Sequence, residues 1–222
     1  MTTFVLIPGM CHGGWCFEQL TEQLRLHGHR VHPVTPTGLS ERGHLLRGTD
    51  LETHIQDVTA LLEVEDVRDA VLVGHSYGGM VITGAADRAP DRVGPLVYLD
   101  AVVPEHGDSM WSLVSDRERQ WYLDVVETGD AVRPLPFFDP RATPHPLVSL
   151  LQPLRLDGPV RARRNVYVYA AGWEGPSPFT PFYERLREDP SWTVHALDGG
   201  HNLMRDAPQD LLKILLETAE SP

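Results

Sequence analysis

The sequence predicts one α/β domain, a mainly parallel sheet with helices on both faces. Three observations point there. Short β-branched apolar runs alternate with amphipathic stretches along most of the 222 residues. One of these runs passes through glycines straight into a helical stretch. The chain, at 41% hydrophobic content, is also long enough to bury one sizeable core.

The elements follow in order. TFVLI (3–7) reads as a strand ended by Pro8-Gly9, and Phe17, Leu20 and Leu24 recur at helical spacing within a helix from about Trp15 to Leu26. HRVHPV (29–34) is the next strand, followed by a loop. Leu51, Ile55, Val58 and Leu62 line one face of a helix near 50–63, for which Thr49 and Glu52 predict a capping box. AVLVG (70–74) reads as a buried strand, followed by a helix through about Ala89 and a strand at 94–100. Later come a strand at 165–171, a short helix around 179–188, a strand at 192–197 and a final helix from about Ala207. Asp206 is the expected cap of that last helix, with Pro208 in its first turn. Such alternation implies parallel strands joined by crossover helices.

Residues 104–164 break the rhythm. They hold eight of the 19 prolines, a Trp111/Trp121/Tyr122 group and PLPFFDP, without a strand–helix repeat. A long excursion between sheet strands predicts a lid over a pocket, inserted within the single domain 1–222.

Composition excludes several functions. The net charge is −12, and the only basic cluster is RARR at 161–164, so neither nucleic acid nor an anionic membrane is an expected partner. Two cysteines are too few for a disulfide framework, and no apolar run approaches the length of a membrane span. MTTFVLIPG lacks basic residues and reaches Pro-Gly within nine positions, so it is not expected to be a signal peptide. These features predict a cytoplasmic protein with reduced thiols; the oligomeric state stays open, a homodimer included. His12, His27, His29 and His32 with Cys11 and Cys16 do not match a metal-ligand spacing, so no metal or cofactor is expected.

The sharpest motif is Gly74-His75-Ser76-Tyr77-Gly78, followed by Gly79. The bare pattern arises by chance in roughly one chain of this length in ten or twenty. Here it sits between a buried strand and a helical run, the setting of a nucleophile elbow. An idle serine in a tight turn is the plain alternative. A serine hydroxyl needs a base. Of the 11 histidines, His201 is the last and lies in ALDGGHNLM, on the same carboxyl edge as the Ser76 turn. An oxyanion needs two N–H donors, expected from the main chain at Tyr77 and at Met10 in PGMCHGGW, with the two side chains serving only as pocket walls. His145, in TPHP, reads as fixing a turn of the lid.

FVLIPGMCHGGWCFEQLTEQLRLHGHRV, LVGHSYGGM, LVYLDAVVPE and GGHNLM together resemble the small-esterase branch of the α/β-hydrolase superfamily. That branch includes plant methylesterases, hydroxynitrile lyases and bacterial pyrethroid-hydrolase-like carboxylesterases. The resemblance implies a six-stranded, mainly parallel α/β-hydrolase sheet without the superfamily's first two antiparallel strands. It also implies Ser76 as nucleophile, His201 as base, no metal, and a hydrophobic pocket under the lid. The lyases carry threonine and lysine where Gly9 and Asn202 stand here, which favours ester hydrolysis. Pro8 replaces a histidine common in this loop.

The third member of a triad is less plain. In the plant relatives the acid follows the strand equivalent to NVYVYAA, but in this register Trp173 takes its place. Glu174 could serve with a one-residue shift, and Asp198 stands only three residues before His201. Asp100 is preferred. It ends an apolar strand, LVYLDAVVP, and a buried carboxylate is what holds an imidazole in one tautomer. Cys11, His12, Trp15, Trp121, Phe138 and Trp173 are candidate pocket residues. The expected partner is a small-molecule ester of apolar or aromatic character. A lyase, cyclase or thioesterase using the same pair is the alternative reaction, and a ligand-binding protein with a dormant triad is the alternative class.

Overall fold

Six strands form the central sheet: β1 (Thr3–Ile7), β2 (Arg30–Pro33), β3 (Ala70–His75), β4 (Val93–Leu99), β8 (Asn165–Ala170) and β9 (Trp192–Leu197). The computed structural model describes residues 1–124, 126–127, 129–160, 162–173 and 175–220. The spatial order is β2-β1-β3-β4-β8-β9, and every neighbouring pair is parallel. The chain runs from β1 outward to β2, then returns to β3 on the other side of β1. That reversal opens a crevice at the carboxyl ends of β1 and β3, where open α/β sheets bind ligands.

Alternating side chains serve the two faces. Val5, Leu72 and Tyr98 pack toward α2 (Leu51–Val64) and α3 (Gly78–Arg88). Phe4, Val71 and Val97 pack toward α1 (Glu18–Leu26) and α9 (Pro208–Glu220). With both faces covered, the strands read as near-continuous apolar runs.

Local differences from expectation have physical causes. The α2 cap is Asp50, which is extended and accepts from the Thr53 N–H at 2.8 Å. Thr53 answers from the third helical position, completing a capping box one residue later than Thr49 and Glu52 imply. Thr49 donates its hydroxyl to the Leu45 carbonyl at 2.7 Å, and Glu52 pairs with Arg88. A 3-10 turn over Gly14–Phe17 delays α1 to Glu18. Asp206 ends a short helix, α8 (Leu203–Asp206), and its carboxylate takes Arg205 rather than opening α9.

The 104–164 segment holds α4 (Met110–Leu113), α5 (Asp116–Asp124), α6 (Leu147–Leu151) and an antiparallel sheet of three two-residue strands: β5 (Val126–Glu127), β6 (Ala131–Val132) and β7 (His145–Pro146). Val132 pairs with His145. Strands of two residues carry no periodic signal, hence the patternless sequence. Among the described residues no helix is long and apolar enough to cross a membrane.

Candidate active site

Ser76 sits in the turn between β3 and α3, in the left-handed region at φ 55°. For a residue other than glycine that conformation is strained and must be held from outside. Its N–H donates to the Leu99 carbonyl at 3.2 Å, and its own carbonyl accepts from Gly79 and Val102. The helix beyond comes so close to the neighbouring backbone that a Cβ on Gly79 would stand 2.0 Å from the Val102 oxygen. Gly9, after β1, lies close against the serine: a Cβ there would stand 2.9 Å from the Ser76 Cβ. The β1 loop and the Ser76 turn therefore face each other across the crevice. The Ser76 turn leads directly into the amino end of α3, where the helix dipole favours negative charge.

Asp100 is the residue that leaves β4. It too is left-handed, at φ 42°, and its side chain is fully buried. Its N–H donates to the Val168 carbonyl at 2.7 Å, which turns the carboxylate across the sheet edge. Oδ1 accepts from the Ala170 N–H at 3.2 Å, and Oδ2 accepts from His201 Nδ1 at 2.7 Å. The acid in the apolar run thus has two donors and one specific partner. With its proton on Nδ1 the ring donates to this carboxylate, and Nε2 is then the basic nitrogen.

His201 lies in the loop between β9 and α8, with its side chain 27% exposed. Phe179 stacks on its ring at 5.1 Å and 8°, and Trp173 and His75 stand at 4.8 Å and 4.4 Å. Its carbonyl accepts from His75 Nε2 at 3.0 Å. Burial holds the imidazolium below the ordinary histidine value, and nearby His12 adds to the effect. Burial acts oppositely on Asp100, raising its carboxyl, while the Ala170 N–H pulls it back down.

The other candidates separate into groups. Met10 and Cys11 follow Gly9 and are buried. Tyr77 is fully buried and directs its hydroxyl inward, donating to His54 Nδ1 at 2.8 Å; its side chain is not a pocket wall as the sequence suggests. His12 donates from Nδ1 to the Met10 carbonyl at 2.7 Å. It packs on Trp15 at 5.2 Å and Phe138 at 5.4 Å, and Phe138 continues to Trp121 at 6.1 Å. The buried indole N–H of Trp121 has no partner among the described residues. Trp15 donates to Ser40 Oγ and lies under Arg141, lining a groove of about 790 Å³ that contains none of Ser76, Asp100 and His201. Trp173 occupies the expected acid position and packs on the His201 ring. Glu174 lies outside the described residues.

Two neighbours escape sequence reasoning. His75 is visible as the variable residue before Ser76, yet nothing in the motif says it would hold the His201 carbonyl. Phe179 has no local signal, because it comes to His201 only through the loop between β8 and α7 (Thr180–Leu186).

Comparison with known proteins agrees with this architecture. A carbendazim hydrolyzing esterase of Nocardioides sp. (strain SG-4G) is 39% identical, over 97% of this chain and 98% of its own length. Methylesterase 3 of Arabidopsis thaliana is 35% identical over 57% of this chain and 51% of its own. The crystal structure of a pyrethroid hydrolase from Sphingobium faniae JZ-2 superposes with a TM-score of 0.80 at 21% identity, covering 100% of this chain and 98% of that one. The model of the alpha/beta hydrolase family matches residues 4–214. With nearly the whole chain matched, and with relatives that are esterases, the protein belongs to the alpha/beta hydrolase family and is an ester-cleaving hydrolase.

Proposed function

We propose that the protein cleaves a carboxylic ester of an apolar or aromatic small molecule through an acyl-enzyme on Ser76. His201 Nε2 takes the hydroxyl proton as Ser76 Oγ attacks the ester carbonyl. Asp100 keeps the proton of the resting ring on Nδ1 and faces the imidazolium that forms. The main-chain N–H groups of Met10 and Tyr77 hold the oxyanion, the first from the loop pressed against Ser76, the second from the start of α3. The imidazolium then protonates the departing alcohol. Water, deprotonated by the same Nε2, attacks the acyl carbonyl and frees Ser76.

The single observation that carries this reading is the 2.7 Å bond between His201 Nδ1 and the buried Asp100 Oδ2. A fully buried carboxylate held on one imidazole has no structural need that a neutral pair would not meet at lower cost. His12, Phe138 and Trp121 form a continuous aromatic wall, which fits a flat or apolar acyl or alcohol group. We assign the lid role to residues 104–164 on the same ground, since Trp121 and Phe138 come from that segment. The free thiols of Cys11 and Cys16 fit a reducing, cytoplasmic compartment.

The test is hydrolysis of a panel of aryl and alkyl esters of graded acyl length. Carbendazim, for which the Nocardioides relative is named, belongs in that panel. Turnover of activated esters that disappears in Ser76→Ala is expected. Equal turnover by Ser76→Ala would overturn the reading.

A further inference from the structure

A buried polar chain runs beneath the crevice and joins both proposed oxyanion donors to the inserted segment. Cys11, immediately after Met10, is left-handed at φ 66° and fully buried. The insertion holds the peptide groups on both sides of its Cα. Its N–H donates to His145 Nδ1 at 3.3 Å, and its carbonyl accepts from the Thr143 N–H at 3.0 Å. Its thiol faces the Val132 carbonyl at 3.8 Å, on the strand paired with His145.

Fixed backbone groups set the two histidine tautomers along the chain, and the Ser149 hydroxyl also meets that of Tyr77. Because Nδ1 of His145 accepts, its proton is on Nε2, which donates to Ser149 Oγ at 2.9 Å. Ser149 in turn donates to the Pro146 carbonyl at 2.8 Å. On the other side, His54 Nε2 donates to the Thr37 carbonyl and its Nδ1 accepts from the Tyr77 hydroxyl, each at 2.8 Å. The Tyr77 and His145 rings meet edge-on at 4.8 Å. His54, Tyr77, His145 and Ser149 are all fully buried. Burial keeps His145 well below its ordinary value, with His54 adding to the effect, so the accepting nitrogen stays unprotonated.

We propose that His145 is a positioning residue for the oxyanion hole, its Nδ1 holding the Cys11 N–H so that the preceding Met10 N–H points at the acyl carbon's oxygen. This rests on the acyl-enzyme reading above. The geometry assigns to the inserted segment a second task beyond covering the pocket: it sets the backbone of the β1 loop. Without the acceptor at Nδ1, the strained Cys11 conformation loses its anchor on the amide side. The Met10 N–H then drifts from its line. Substrate binding does not need that N–H in the ground state, so the loss falls on the transition state.

The experiment compares His145→Gln and His145→Asn. Asparagine can place its amide oxygen where Nδ1 stands; glutamine reaches only the Nε2 position. Removing one oxyanion donor costs about 10²–10³ in kcat, and a misplaced donor costs part of that. For His145→Gln we expect kcat to fall by roughly tenfold or more with KM within about twofold, and affinity for an aryl trifluoromethyl ketone to fall in parallel. His145→Asn is expected to regain most of both. Equal losses in Asn and Gln, or a loss confined to KM, would reduce His145 to packing. If His145→Gln does not fold, Ser149→Ala reads the same chain by removing the acceptor of the His145 Nε2–H, which holds the ring in place. A kcat fall at constant KM supports the link, and an unchanged kcat overturns it. A wild-type protein that fails to form the ketone adduct overturns the acyl-enzyme reading itself, whereas an adduct undiminished in the variants overturns only the role of His145.

Discussion

Replacing Asp100 by asparagine changes one atom in the buried pair and disturbs two hydrogen bonds. The carboxylate accepts from the Ala170 N–H through Oδ1 and from His201 Nδ1 through Oδ2. Asparagine offers one oxygen and one NH₂. If the oxygen stays on Ala170, the NH₂ faces Nδ1. The imidazole must then carry its proton on Nε2, where it cannot accept from Ser76. If the amide flips, the tautomer survives, but two N–H groups confront each other at a site with no exposure, an unmade bond costing about 1–3 kcal/mol. Either orientation also removes the negative charge facing the imidazolium. The combined expectation is a fall of about 10⁴ in kcat, or ~5.4 kcal/mol at 1.36 kcal/mol per decade. The assay is steady-state hydrolysis of an activated aryl ester, with the fold checked by thermal melting. A loss under about 10² with the fold intact would refute the reasoning. So would a larger loss in Glu174→Gln, which is expected to leave kcat nearly unchanged.

Three further outcomes follow from the same geometry. Because burial lowers His201, it stays neutral as pH falls through 6.5, so the acid limb of kcat/KM should lie below that value; a midpoint above 6.5 would contradict the assignment. His54, His75 and His145 are held neutral by burial, so the unfolded chain binds protons first; denaturant titrations should show stability falling as pH drops below about 6.5, and a flat profile would contradict it. In Gly9→Ala the new methyl collides with Ser76 Cβ and His75 Nδ1 and pushes the β1 loop outward, lowering kcat by about 10², with unchanged turnover the contrary result.

Much of this site is written in local sequence because its parts end parallel strands. The strand–turn–helix around Ser76 is a contiguous signal. His201 follows from chain order and from the shared carboxyl edge. Asp100 stands out in the sequence as an acid inside an apolar run, with Trp173 at the place where the plant pattern has its acid. What stays hidden depends on distance in the chain or on elements too short to have a period. Cys11 and His145 are 134 residues apart, and no pattern links them. The insertion's strands are two residues each. Thr49 and Asp50 are both good caps, and only the extended backbone at Asp50 decides between them. Tyr77 fits the wall of a pocket by position, yet the buried His54 draws its hydroxyl inward.

In the proposed mechanism Ser76 forms a covalent acyl-enzyme with His201 as its base. Mass spectrometry of protein quenched during turnover of a slowly deacylating aryl ester tests it most directly. An acyl mass on the peptide containing Ser76, lost in Ser76→Ala, is the expected result. An unmodified Ser76 peptide throughout rapid turnover would contradict it.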